Sequence, residues 1–119
     1  MMFDHGSFLK SGIIAGGSSD YTCAPLPQLT GIQACATRRS HTGEELGPAQ
    51  KVTAEQAIWI YTIGSAYTSF EENAKGSITP GKLADFTILG EDPTAVDPYA
   101  IKDIPVTATI LGGKVVYGE

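Results

Sequence analysis

The sequence predicts an α+β chain: a helical portion carrying one short buried strand, followed by a small antiparallel sheet. Apolar residues recur at helical spacing in Ala54, Ala57, Ile58 and Tyr61. After Asn73 the pattern changes period, and Gly112-Gly113 then sits between two β-rich runs, the signal of a two-residue hairpin. These observations place a division at 75/76, with residues 1–75 holding the helices and residues 76–119 the sheet.

Taken in order, Phe8-Leu9 followed by Lys10-Ser11-Gly12 reads as the end of a short helix stopped by Gly12. Ile13-Ile14-Ala15-Gly16-Gly17 is a short apolar run, bounded by glycine and by Ser18-Ser19-Asp20, and reads as a buried strand. Helix, strand and polar strand end together make one α/β step of a parallel sheet. Pro25 and Pro27 imply an extended loop or a helix entry. Gln28 to Thr37 then reads as a helix with Leu29, Ile32 and Ala36 on one face, and residues 38–52 read as a loop.

Thr53 offers an N-cap hydroxyl with Gln56 three residues on, the spacing of a capping box. Gly64 is expected to interrupt that helix, and Ser65 to Glu71 to form a second short piece. Thr79-Pro80-Gly81 sets up a turn, since proline fixes φ at the first central position and glycine supplies positive φ at the next. Asp85 to Leu89 and Val106 to Leu111 are strands separated by an irregular crossing over Pro98 to Ile104. Lys114 to Tyr117 completes the hairpin. Such a sheet has an open face and open edges, which self-association would cover.

Composition narrows the function classes. Thirteen acidic against eight basic residues give a net charge of −5, which argues against nucleic acid or an anionic membrane as partner. No apolar run approaches a membrane span, and the expected location is the cytoplasm. The two cysteines, Cys23 and Cys35, form no Cys-x-x-Cys pair and read as structural thiols.

Asp20 is the residue singled out for chemistry. A carboxylate directly after a buried strand stands at the carboxyl end of the sheet, where α/β folds place their sites. There it can hold a metal ion or accept a proton from water, although an aspartate after a strand more often serves a turn or a helix cap. His5 and His41 are the only imidazoles, and neither lies at ligand spacing to a carboxylate. Arg38 and Arg39 fit an exposed or ion-paired couple better than an anion site. Trp59 and Tyr61 read as core. Gly81-Lys82 lacks the spacing of a phosphate loop and reads as part of a tight turn.

Several stretches together resemble the carboxyl-terminal part of the amidohydrolase superfamily, close to enzymes of the N-substituted formamide deformylase kind. They are Ser11 to Asp20, Pro25-Leu26, Thr37-Arg38, Val52 to Ala57, Tyr61-Thr62, Ala66-Tyr67, Gly76 to Asp85, and the Thr109 to Tyr117 ending. The resemblance implies a fold made of the last strand and helices of a (β/α)8 barrel plus part of the family's small β-sandwich. A whole barrel typically takes ~250 residues, so 119 make an incomplete fold.

It also implies hydrolysis of amide-type C–N bonds with divalent metal, often zinc. Asp20 would then be the aspartate beside the metal that serves as general base. The family's His-x-His pair, its bridging lysine or glutamate, and its later histidine ligands have no counterpart here. Ser18 also stands where many relatives carry glycine. The expectation is therefore a carboxyl-terminal portion of a metal-dependent amidohydrolase, inactive and without bound metal as an isolated chain, and homo-oligomeric through strand edges or apolar faces. The competing expectation is a free-standing, non-catalytic, self-associating module.

Overall fold

The computed structural model describes residues 3–23 and 27–118. Helix α1 (His5–Lys10) ends where expected, with Gly12 beyond it at φ +70°. Helix α2 (Gln28–Thr37) follows Pro27 as its N-cap; of the expected face it buries Ile32 and half-buries Leu29 and Ala36, and it also buries Cys35. Pro25 and Leu26 lie outside the described residues.

Thr53 caps α3 (Ala54–Trp59) through the full reciprocal box. Its Oγ1 accepts from Gln56 N at 3.1 Å, and Gln56 Oε1 accepts from Thr53 N at 2.9 Å. Gly64 does not interrupt the rod. The chain passes through a π-turn over Ile60–Gly64 and continues as α4 (Ser65–Thr68), with right-handed helical dihedrals at each junction. The second piece thus ends at Thr68 rather than Glu71.

Two expectations need correction. Residues 13–20 run without a ladder partner, so the predicted strand Ile13–Gly17 is absent as a hydrogen-bonded strand. A strand is defined by its neighbours, and the described residues contain no parallel partner for it. The run is also only half covered, with Ile13 at 53% and Ile14 at 36% exposure. Arg38, in turn, is buried and unpaired with any carboxylate among the described residues. It closes α2 in the left-handed region at φ 57° and donates to the carbonyls of Leu46 (Nε, 2.9 Å) and Phe3 (Nη1, 2.8 Å). Those carbonyls stand in for water around a buried guanidinium. Arg39 is exposed and lies over the Tyr99 ring at 5.4 Å.

The core is helical. Ile32, Cys35, Val52, Ala57 and Ile60 pack around Ile101, with Leu9, Leu29, Trp59 and Tyr61 at its margin. Ile101 belongs to a 3-10 helix (Pro98–Asp103) in the irregular crossing, so a residue from beyond the 75/76 division fills the centre of the helical packing. The same crossing is tied to α2 by Lys102 N donating to Gln33 Oε1 at 3.0 Å.

The sheet has the order β1-β2-β3, with strands β1 (Phe86–Leu89), β2 (Val106–Leu111) and β3 (Lys114–Gly118), all antiparallel. Gly112 and Gly113, both at positive φ, make the hairpin turn that the sequence signalled. Asp85 Oδ1 accepts from Gly112 N at 2.7 Å, which pins the hairpin to the start of β1. Lys82 holds the preceding segment. Its ammonium donates to Ser77 Oγ at 2.7 Å and also reaches the carbonyls of Glu72 and Lys75. The lysine of the apparent phosphate loop is thus engaged in joining two turns.

Little of the sheet is covered. Ala108 is buried, whereas Ile88, Leu111, Val115, Val116 and Tyr117 are exposed, and among the described residues neither outer edge has a neighbouring strand.

Truncating Ile101 to alanine should cost about 2–5 kcal/mol, measured as a lowered urea midpoint with unchanged slope. Removing the capping hydroxyl with Thr53→Ala should cost about 1 kcal/mol in the same measurement.

Candidate functional site around Asp20

Glycines govern how the Asp20 segment meets the helix behind it. A Cβ at Gly17 would lie 2.6 Å from the Tyr61 ring, and one at Gly31 would lie 2.1 Å from the Tyr61 hydroxyl. The ring therefore fills a slot between the extended run and α2, open only because both positions lack a side chain. A Cβ at Gly64 would approach the Ala15 carbonyl oxygen to 2.5 Å. At these contacts helix and extended backbone meet with nothing between them.

Hydrogen bonds fix the contact. Gly17 N donates to the Ile60 carbonyl at 3.0 Å, and Ser65 Oγ donates to the Gly17 carbonyl at 2.7 Å. Ile60 sits in the π-turn, where the ordinary i→i+4 pairing is broken and helix carbonyls become available to outside donors. Sequence reasoning assigned Tyr61 to the core and gave Ser65 no role. The signal that could have found this contact is the set of glycines Gly16, Gly17, Gly31 and Gly64, each next to or within two residues of an apolar side chain.

Beyond Gly17 the run turns outward. Ser18 Oγ accepts from Asp20 N at 3.2 Å and Ser19 Oγ from Tyr21 N at 3.3 Å, so both serines support local turns. Asp20 takes φ 49°, a conformation that aspartate adopts more readily than most residues, and its carbonyl accepts from Cys23 N at 2.7 Å. The Asp20 side chain is exposed, and among the described residues none pairs with its carboxylate.

The remaining candidates do not gather around it. His5 is buried near the rings of Phe3 and Phe8, and its Nδ1 has no hydrogen-bond partner. Burial lowers its pKa, and the Arg38 guanidinium lowers it further against the opposing pull of Asp4. His41 is exposed in the loop after α2. Cys35 is buried, which pushes its thiol pKa up, and Cys23 is exposed; both are free thiols. Burial, with a contribution from Cys35, pushes the Tyr61 phenol up to about 12, so it stays protonated.

Among the described residues no three His, Cys, Asp or Glu side chains stand close enough to hold a metal ion. The donor set of the described residues therefore does not fit the metal that the family resemblance implies.

Comparison with known proteins decides the lineage. The model of the amidohydrolase family matches residues 2–117. The chain belongs to the amidohydrolase family. It is 35% identical over 115 residues to YtcJ of Bacillus subtilis (strain 168), a protein named as an amidohydrolase, covering 93% of this chain and 22% of the relative. It is 28% identical over 116 residues to N-substituted formamide deformylase of Arthrobacter pascens, covering 98% of this chain and 21% of that enzyme. The chain thus spans about a fifth of the length of these curated relatives.

Solved structures agree on the fold. An amidohydrolase from Thermotoga maritima MSB8 superposes with a TM-score of 0.68 at 22% identity, over 93% of this chain and 24% of that one. Guanine deaminase from E. coli gives 0.66 at 18% identity, over 95% and 29%. The amidohydrolase resemblance read from the motifs is correct, and the three-stranded antiparallel sheet with its few helices fits a part of such a fold.

The neutral, buried His5 makes stability depend on pH. Its folded pKa lies below the ordinary value of 6.5, so the unfolded chain binds the proton first as pH falls. The contribution is complete above that value, is lost as pH drops toward the folded pKa, and levels off beneath it. Urea midpoints measured across pH 7.5 to 5 should fall, and His5→Phe should flatten that dependence relative to the parent chain.

Proposed function

We propose that this chain is the carboxyl-terminal portion of a metal-dependent amidohydrolase that cleaves amide-type C–N bonds. In this reading it supplies the last strand and following helices of the barrel, together with part of the sandwich. The observation that carries the reading is the extended run 13–20. Its residues 15–17 lie against the α3–α4 rod, Ile13 and Ile14 are exposed, and it ends in an exposed carboxylate. A barrel strand is covered on its outer side by its helix and paired at both edges with other strands. Only the first of those partners is present among the described residues.

Asp20 is assigned the role of general base, accepting a proton from the water that attacks the C–N bond. The metal, zinc as the first candidate, would be held by residues of a complete barrel with Asp20 at its margin. One carboxylate is short of the three or more protein ligands that a catalytic zinc takes, so the chain by itself is assigned no turnover. N-substituted formamide deformylase, by its name, acts on N-substituted formamides. Amides of that class are the first substrates to try.

A second reading is favoured by the exposed apolar sheet. Ile88, Leu111, Val115, Val116 and Tyr117, with two sheet edges unpaired among the described residues, suit a non-catalytic module that associates with itself through the sheet. Homo-oligomerisation is proposed under both readings, with the cytoplasm as its location and no nucleic acid or membrane partner.

Purified chain with added zinc should show no turnover on a panel of amides, and turnover abolished by Asp20→Ala would overturn the inactive assignment. The role of Asp20 is measured in a chimera of the Arthrobacter deformylase whose closing segment is replaced by residues 8–117. Asp20→Ala there should lower kcat about 10²- to 10⁴-fold at unchanged metal content. Sedimentation of the 119-residue chain should give a species heavier than the 12.5 kDa monomer, and a compact monomer at all concentrations would remove the self-association proposal.

A further inference from the structure

Among the described residues the run carrying Asp20 has no sheet neighbour to set its register, yet both backbone polar groups of Gly17 are engaged. Its N–H is bound by the Ile60 carbonyl at 3.0 Å and its carbonyl by the Ser65 hydroxyl at 2.7 Å. Ser65 Oγ also lies 3.1 Å from the Ile60 carbonyl, so the hydroxyl bridges helix and run, with the shorter contact to Gly17. The helix thereby supplies the donor and acceptor that a neighbouring strand would otherwise provide.

From this geometry we infer that Ser65 is a positioning residue for Asp20. Its hydroxyl, next to the π-turn, fixes the register of the extended run and with it the place of the carboxylate at the run's end.

Sterics make the register singular. A one-residue slip would bring the side chain of Ala15 or Ser18 toward a slot that accepts only glycine. At Gly17 a Cβ meets the Tyr61 ring at 2.6 Å, and at Gly16 a Cβ meets Ser65 Cα at 3.1 Å and Thr68 Oγ1 at 2.7 Å. A slip by one residue in an extended chain also turns every side chain to the opposite face. Asp20 follows Gly17 through the turns that Ser18 and Ser19 support, so a slip at Gly17 would displace those turns and the carboxylate with them. The glycines exclude the wrong registers, and the Ser65 hydroxyl and Ile60 carbonyl hold the remaining one.

The inference rests on the reading of Asp20 as the reactive carboxylate, and its test is kept separate from that reading. Amide exchange followed by NMR on the 119-residue chain reports Gly17 against Ala57, whose own N–H donates to Thr53 O at 2.9 Å inside the helical core. In Ser65→Ala the Gly17 amide should exchange about five- to tenfold faster, the change expected from one lost hydrogen bond. Ala57 should stay within about twofold by the same reasoning.

The Asp20 side-chain carboxyl resonance should move in Ser65→Ala, and Ser65→Thr, which keeps the hydroxyl, should restore both signals. Ser65→Cys, a weaker donor of similar size, should fall between and serves if the alanine variant does not fold. Equal acceleration at Gly17 and Ala57 would overturn the inference, because Ser65 would then be general support for the core. An unmoved Asp20 resonance beside a freed Gly17, a folded threonine variant without rescue, or a cysteine variant identical to the parent would overturn it as well. An unchanged kcat for Asp20→Ala in the deformylase chimera would instead remove the chemistry of Asp20 and leave the exchange result standing.

Discussion

Backbone meets backbone where residues 15–17 cross the helical rod, and the remaining arrangement follows from that crossing. Such an approach demands that side chains be absent on both sides, which Gly16, Gly17 and Gly64 satisfy. It also demands that the polar groups so buried find partners, since an unpaired N–H or carbonyl costs about 1–3 kcal/mol. The Ile60 carbonyl and the Ser65 hydroxyl meet that demand. Tyr61, locked between Gly17 and Gly31, carries the same constraint across to α2.

The molecule is built unevenly. Its helical half has a dense centre in which Ala57, Ile60 and Ile101 are almost wholly removed from water. Its sheet keeps its shape through local devices: the Pro80-Gly81 turn, the Lys82 ammonium on Ser77 and neighbouring carbonyls, and the Asp85 carboxylate on the hairpin. Hydrophobic burial contributes little there, because only Ala108 is buried among its strand residues. The Gly76 to Asp85 stretch that carries part of the family resemblance is thus a set of turn and hairpin fasteners, distinct from the carboxylate of Asp20.

Kinship and activity accordingly rest on different residues. Family membership is carried by the family model's match to residues 2–117, and the fold is shared with an amidohydrolase from Thermotoga maritima MSB8. The reactive role proposed for this chain falls on one exposed carboxylate, Asp20, whose neighbours Ser18 and Ser19 serve the backbone. The two histidines lie apart from it, one among aromatic rings and one in an open loop.

Local signals were legible in the sequence wherever a few adjacent residues settle the outcome. The Thr53–Gln56 box, the Gly12 stop, the Pro80-Gly81 turn and the Gly112-Gly113 hairpin all depend on φ preferences or side-chain reach within a few residues. The order of motifs likewise sufficed to identify the family. What needed tertiary structure were outcomes decided by distant partners. Gly64 reads as a break, yet the helix passes through it as a π-turn beside the Ala15 backbone. Arg38 reads as a surface charge, yet the carbonyls of Phe3 and Leu46 make its burial tolerable. Ile13–Gly17 reads as a strand, but pairing is a property of two segments, and the second is absent among the described residues. Sequence determined the turns, the caps and the lineage because those are short-range; register, burial and the setting of Asp20 were decided only by what the folded chain brings alongside.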